Sequence, residues 1–278
     1  MSAFIIETTG LYFNYGDGTG ALQGIDLSLE KNCKVAILGP NGAGKSTFFL
    51  HCNGLLRPSS GKIKFAGQEM EYSKSYLKNL RQKVGIVFQN PDQQIFSASV
   101  RQDISFGLIN MGWSKEETLI KIDQIGSQLG ITDLFERPTH HLSLGQKKMV
   151  ALAGVLVMNP SLLVCDEPTA GLDPAAAMAL LEMLDELHQR GTAIIISTHD
   201  VDQAYSWADQ IIILDQGRVL AEGEPAQVFA NTGILAQARL KKPWILETWE
   251  TLQLKGLVEM ETPPPLTREQ LFNMIFPR

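Results

Sequence analysis

The chain has 278 residues, 44% of them hydrophobic and 19% charged, which suits one substantial core with a small appendage and argues against disorder. A net charge of −6 argues against broad attraction to DNA, RNA or anionic lipid, so no nucleic-acid partner is expected. Cys33, Cys52 and Cys165 lack CxxC spacing, and there is neither a signal-peptide pattern nor an apolar run of about 18 residues, so a reducing, cytoplasmic setting is expected.

In chain order, β elements are expected at residues 5–6, 11–15 and 22–29, with Gly16, Gly18 and Gly20 as turn residues. Residues 35–38 form an apolar strand ending at a glycine-rich turn, followed by helix over 46–55. Further strands are expected at 61–66, 84–88, 162–165, 193–197 and 210–214, the last turning through Gln216-Gly217 into 218–221 as a hairpin. Helices fall at 114–129, 144–158 and 175–189, with Pro160 as a stop and Pro174 suited to a first turn. Alternating strands and helices imply an α/β fold with a mainly parallel core sheet, to which the N-terminal strands add an antiparallel β subdomain. After about residue 229 the pattern weakens, and residues 263–265 resemble a linker before a short final helix.

The strongest chemical signal is the run Gly39, Pro40, Asn41, Gly42, Ala43, Gly44, Lys45, Ser46, Thr47, which matches G-x-x-x-x-G-K-[ST] between a strand and a helix. Its glycines let backbone N–H groups turn toward phosphates, and the helix N-terminus favours an anion. Lys45 can reach the β- and γ-phosphates of ATP, and the Ser46 hydroxyl can ligate Mg²⁺. The second signal is the apolar run 162–165 ending in Asp166-Glu167, which puts two carboxylates at the carboxyl edge of the sheet. Alone that pattern is often just a strand end. Downstream of a phosphate loop, Asp166 is expected to hold the magnesium and Glu167 to orient or deprotonate the attacking water.

These two motifs suit many P-loop NTPases, and Leu142-Ser143-Leu144-Gly145-Gln146 narrows the choice. Here the sequence resembles the ABC ATPases, whose signature is LSGGQ, with Leu144 replacing a glycine. The resemblance implies that Ser143, Gly145 and Gln146 contact nucleotide held by another subunit. It assigns Gln89 as a Mg²⁺-sensing and coupling glutamine, Asp173 to the loop between subunits, and His199 as the switch histidine on the γ-phosphate. Tyr15 is implied as the aromatic that stacks on adenine, with Tyr12 and Phe13 as rivals. The implied catalytic set is Glu167, His199, Lys45 and Gln89; the implied Mg²⁺ set is Ser46, Gln89 and Asp166. One motif set implies a dimer, expected to be a homodimer.

Residues 90–96, following Gln89, and residues 145–154 resemble the ATPases of energy-coupling-factor importers, although Met149 stands where arginine is usual. That likeness implies a transmembrane coupling protein and a substrate-capture membrane protein as partners. It places the chain at the cytoplasmic face of the cell membrane and suggests cobalt or nickel as cargo. A vitamin importer of the same class would share every ATPase motif, and a soluble ABC ATPase acting on DNA or ribosomes is the alternative from another class. The expected organisation is an ABC ATPase domain over 1–230, with a helical subdomain at about 90–160, and a C-terminal extension over 231–278. His140-His141 is expected to be structural rather than a metal site. Trp244 and Trp249 are candidate interface anchors, with packing inside one chain as the alternative.

Overall fold

In the computed structural model, which describes residues 3–259 and 262–276, the first strands form an antiparallel layer. Strand β1 (Phe4–Asn14) pairs with β2 (Gly20–Glu30) on one side. After β3 (Lys34–Leu38) and helix α1 (Lys45–Cys52), β4 (Ser60–Phe65) returns to the other side of β1. The short β5 (Gln68–Glu69) completes the order β2-β1-β4-β5. The separate pieces expected at 5–6 and 11–15 are one strand, because register shifts between Thr8 and Leu11 let the ladder continue past Gly10 at φ 52°. The outermost residues of the expected segments, 1–2 and 277–278, and residues 260–261 lie outside the described residues.

Helix α2 (Lys74–Lys83), which sequence periodicity did not reveal, is N-capped by Ser73 and leads into β6 (Val84–Val87). Helices α3 (Val100–Met111), α4 (Lys115–Leu129) and α5 (Leu144–Leu156) follow and pack on one another. The chain then alternates through β7 (Leu162–Cys165), α6 (Pro174–Gln189), β8 (Ala193–Ser197), α7 (Val201–Trp207), β9 (Gln210–Asp215) and β10 (Arg218–Gly223). The second sheet has the order β10-β9-β3-β8-β7-β6, parallel except for the β9–β10 hairpin. Gln216 and Gly217 make the hairpin turn at φ 46° and 74°.

The apolar runs of the central strands are explained by cores on both faces. Val35, Ile37, Leu162, Val164, Ile195 and Ile212 join Phe48, Phe49 and the antiparallel layer on one side. Their neighbours Ala36, Leu38, Leu163, Cys165, Ile194 and Ile211 join α3–α6 on the other. The two-residue strand period thus sorts each run into two cores.

Beyond β10, α8 (Pro225–Ala230), α9 (Thr232–Gln237), α10 (Trp244–Leu254) and α11 (Arg268–Ile275) occupy the weakly patterned region, α11 as the expected final helix. Leu235, Ile245, Leu246, Trp249 and Leu271 are buried in the same core as the central sheet. Trp249 is 2% exposed, which removes it as an interface anchor; Trp244 is 42% exposed. Among the described residues no helix is long and apolar enough to cross a membrane.

Candidate functional site

The phosphate loop spans the turn between β3 and α1 at the carboxyl edge of the parallel sheet, where open α/β folds place ligands. Gly39 lies at φ 145°, and a Cβ there would sit 2.0 Å from the Leu214 carbonyl oxygen. Gly44 lies at φ 104°, with the Ala21 carbonyl 2.7 Å from its would-be Cβ. Only glycine fits both constraints. A groove of about 330 Å³ over the loop is lined by Tyr15, Asn41 through Thr47, Gln89, Asp166 and Glu167.

Lys45 arches back over the loop, donating from Nζ to the carbonyls of Gly39 at 2.7 Å and Pro40 at 3.1 Å. Burial lowers its pKa, and the negative charges of Glu167 and Asp166 act in the opposite sense. Tyr15 closes the groove: its hydroxyl lies 2.9 Å from Thr47 Oγ1, and its ring meets the edge of Phe13 at 5.0 Å. Of the three rival aromatics, Tyr15 lines the groove, whereas Phe13 packs beneath it on His51 and Tyr12 lies against Gly24.

Ser46 Oγ donates to Asp166 Oδ2 at 2.5 Å, and Ser197 Oγ donates to Asp166 Oδ1 at 2.5 Å. The next residue, Glu167, has φ 45°, a left-handed conformation that costs a non-glycine residue about 1–3 kcal/mol and clusters at functional sites. Its backbone N–H donates to Ser197 Oγ at 2.8 Å. Its carboxylate is paired with His199 Nε2 and accepts from Gln89 Nε2 at 3.3 Å. Strand ends β6, β7 and β8 therefore deliver Gln89, Asp166–Glu167 and His199 to one point beside the phosphate loop. The chemistry available there is phosphate binding, oxygen ligation of a hard cation and proton transfer at a carboxylate.

Ser143, Gly145, Gln146 and Asp173 do not line this groove. Ser143 and Gln146 form a reciprocal capping box at the start of α5, and Asp173 N-caps α6 by accepting from the Ala176 N–H at 2.9 Å. Their side chains stabilise helix starts in this chain. The Leu144 side chain packs over the loop at Gly171, where a Cβ would lie 2.8 Å from it. His140 and His141 pack ring against ring, and among the described residues no three His, Cys, Asp or Glu side chains converge as a metal site.

Two residues around Glu167 escaped the sequence reading. Lys148 of α5 donates from Nζ to the Glu167 carbonyl at 3.0 Å and the Pro168 carbonyl at 2.8 Å. Burial lowers its pKa against the nearby charge of Glu167. Gln203 of α7 accepts at Oε1 from Thr198 Oγ1 at 3.0 Å and Thr169 Oγ1 at 3.3 Å, joining the loops that carry His199 and Glu167. A lysine two residues before the apolar run 150–153 was the available signal for the first; Gln203 gave none.

The family model described as ABC transporter matches residues 22–170, more than half of the chain. The chain belongs to the ABC transporter ATPase family, whose members hydrolyse ATP. A putative ABC transporter ATP-binding protein of Methanothermobacter marburgensis is 48% identical over 263 residues, 95% of each chain. The energy-coupling factor transporter ATP-binding protein EcfA of Methanocaldococcus jannaschii is 45% identical over 258 residues, 93% of this chain and 92% of that one. Within the family, the chain therefore groups with the energy-coupling-factor ATP-binding subunits. Among solved structures, cbiO1 of Clostridium perfringens, part of the ABC transporter complex cbiONQ, shares 44% identity at a TM-score of 0.76 over 90% of this chain and all of that one. A dimeric ATP-binding cassette in a post-hydrolysis state with ADP and Pi matches at 26% identity and a TM-score of 0.73, over 79% of this chain and 98% of that one.

Proposed function

We propose that this chain hydrolyses ATP with Mg²⁺ at the groove over residues 39–47, as one half of a dimeric motor for an energy-coupling-factor importer. The observation that carries the reading is the convergence of Glu167, His199 and Gln89 beside the Ser46–Asp166 oxygen pair. Tyr15 supplies a face for adenine, and stacking of this kind contributes about 1–3 kcal/mol. Backbone N–H groups of residues 41–47 and the dipole of α1 take the phosphates, with Lys45 released from the Gly39 and Pro40 carbonyls to the outer phosphates. Ser46 Oγ and Asp166 Oδ2, hydrogen-bonded to each other with Gln89 alongside, are the oxygen groups that would hold Mg²⁺. When bound there, Mg²⁺ neutralises charge on the phosphate oxygens. Glu167 orients and deprotonates water, and His199, held on the same carboxylate, turns to the γ-phosphate.

Ser143, Gly145 and Gln146 lie away from this chain's own groove, which supports their acting on nucleotide held by a second cassette. The related dimeric cassette bound to ADP and Pi fits that arrangement. Partners that follow are a second copy of this chain, a transmembrane coupling protein and a substrate-capture membrane protein, with the ATPase at the cytoplasmic face. We assign the cargo to cobalt or nickel on the sequence resemblance of residues 90–96 and 145–154; a vitamin cargo, whose importer would share every ATPase motif, is the second reading.

Glu167→Gln should lower turnover by about 10²–10⁴-fold while ATP still binds, because it removes the water-activating base. Turnover at the wild-type rate would refute the assignment of Glu167. Tagged Glu167→Gln, recovered with ATP from native membranes and analysed by mass spectrometry, tests the assembly and the cargo. A metal-capture subunit supports the first cargo, a vitamin-binding subunit the second, and purely soluble or ribosomal partners overturn the transport reading.

A further inference from the structure

Glu167 must hold an unfavourable backbone conformation at the moment of chemistry, and the side chain that fastens its turn comes from another element. Lys148 is 5% exposed, and Nζ donates to two consecutive carbonyls, those of Glu167 and Pro168. Carbonyls are neutral acceptors, so nothing in this contact neutralises the ammonium. A buried lysine satisfied mainly by backbone oxygens is expensive to keep unless its position matters.

The location of Lys148 on α5 gives that position meaning. Ser143 is the N-cap of α5 and Lys148 lies five residues further on, about 7.5 Å along the axis at 1.5 Å per residue. The next-door Lys147 donates to Asp92 Oδ1 at 2.6 Å, in the turn that follows Gln89. Adjacent lysines on one rigid helix thus hold the turn after Gln89 and the turn that carries the catalytic carboxylate. On the dimeric reading above, the same helix start rests on nucleotide in the opposite site.

We infer that Lys148 is a positioning residue that transmits the seating of Ser143 on the partner's nucleotide to the backbone of Glu167 in its own site. A rigid helix carries any shift at its N-terminus to Lys148, and two hydrogen bonds carry it to the carbonyls of Glu167, the water-activating residue, and of Pro168. The two ATP sites of a dimer are thereby coupled through α5, each Glu167 reporting whether the opposite site is filled. This inference rests on the proposed site and on its dimeric arrangement.

The test uses the full-length chain with ATP and Mg²⁺ and compares wild type, Lys148→Met, Lys148→Gln, Ser143→Ala and the Lys148→Met/Ser143→Ala double variant. Lys148→Met keeps the buried stem without the donors and should lower kcat by about 10²-fold, the cost of misplacing a catalytic group by roughly 1 Å. KM for ATP should stay within about threefold and thermal melting should be unchanged, because no contact to nucleotide is lost. Lys148→Gln, whose amide offers two donors, should recover at least about tenfold of the lost rate. The double variant should fall no further than the worse single variant, since both changes break one line of coupling. An unchanged kcat in Lys148→Met, a parallel loss of melting temperature and KM, or single effects that multiply in the double variant would each overturn the inference. Glu167→Gln serves as the control: if it retains activity the site reading itself fails, and if it alone is inactive only the role of Lys148 fails.

Discussion

His51 illustrates how a lone residue supports the nucleotide site without touching it. It lies on α1, fully buried, with Nδ1 2.7 Å from the Thr47 carbonyl. A carbonyl only accepts, so Nδ1 carries the proton and Nε2 keeps a bare lone pair with no hydrogen-bond partner among the described residues. Burial pushes its pKa below 6.5 more strongly than the Thr47 hydrogen bond raises it. The unfolded chain therefore binds a proton at a higher pH than the native one. This contribution to stability is fully present above about pH 6.5 and is lost as pH falls toward the lower native pKa. Denaturant titrations of wild type and His51→Gln between pH 7.5 and pH 5 should diverge in slope, with the variant less pH-dependent; equal slopes would remove the buried neutral histidine as the cause. Nothing in the linear pattern singles out His51, because its role depends on Phe13 and Thr47 meeting it from a strand and a helix turn. Gly39 through Thr47 were legible for the opposite reason: their chemistry is contiguous in the chain, even though the carbonyls of Leu214 and Ala21 that crowd Gly39 and Gly44 come from distant strands.

At the level of elements, legibility followed amphipathic length. The central strands were visible as apolar runs because both of their faces are buried, and the capped α4 and α5 had long enough periods. Helices α7, α8 and α9, of six or seven residues, span fewer than two turns and leave almost no periodic trace. Helix α10 is longer, yet its buried residues Ile245, Leu246 and Trp249 face the main core rather than a surface of their own. Its N-terminus is tied to α7 by the Trp244 N–H, which donates to Asp202 Oδ1 at 2.8 Å. Asp202 lies three residues beyond His199, so the last helices brace the element that follows the switch histidine. Trp249→Ala should destabilise the monomer by about 3–5 kcal/mol, the usual cost of deleting a buried aromatic. Equilibrium unfolding measures this directly. A loss below about 1 kcal/mol, with a change in dimer mass instead, would restore Trp249 to an interface.

For the whole molecule, the motifs divide into two groups that a single chain does not bring together. Tyr15, the phosphate loop, Gln89, Asp166, Glu167 and His199 meet at one edge of the sheet, while Ser143, Gly145, Gln146 and Asp173 lie on the starts of α5 and α6. Their linear order was readable in the sequence, but their separation is a property of how α3–α5 sit on the sheet. If each ATP site is built from the first group of one subunit and the second group of another, two different defects should complement. Lys45→Ala disables the phosphate loop, and Ser143→Ala disables the surface offered to the partner. Each variant alone gives dimers with two damaged sites. Mixed in equal amounts, half the dimers pair the two kinds of chain, and each mixed dimer holds one intact site and one doubly damaged site. ATPase activity should then rise to about a quarter of the wild-type rate if the sites act independently, and to less if Ser143 also acts on its own chain's Glu167 through Lys148. The comparison is made by steady-state turnover after the chains are mixed and allowed to exchange. Activity no greater than the mean of the separate variants, with exchange verified by differently tagged chains, would place both groups of residues in the service of one chain's own nucleotide.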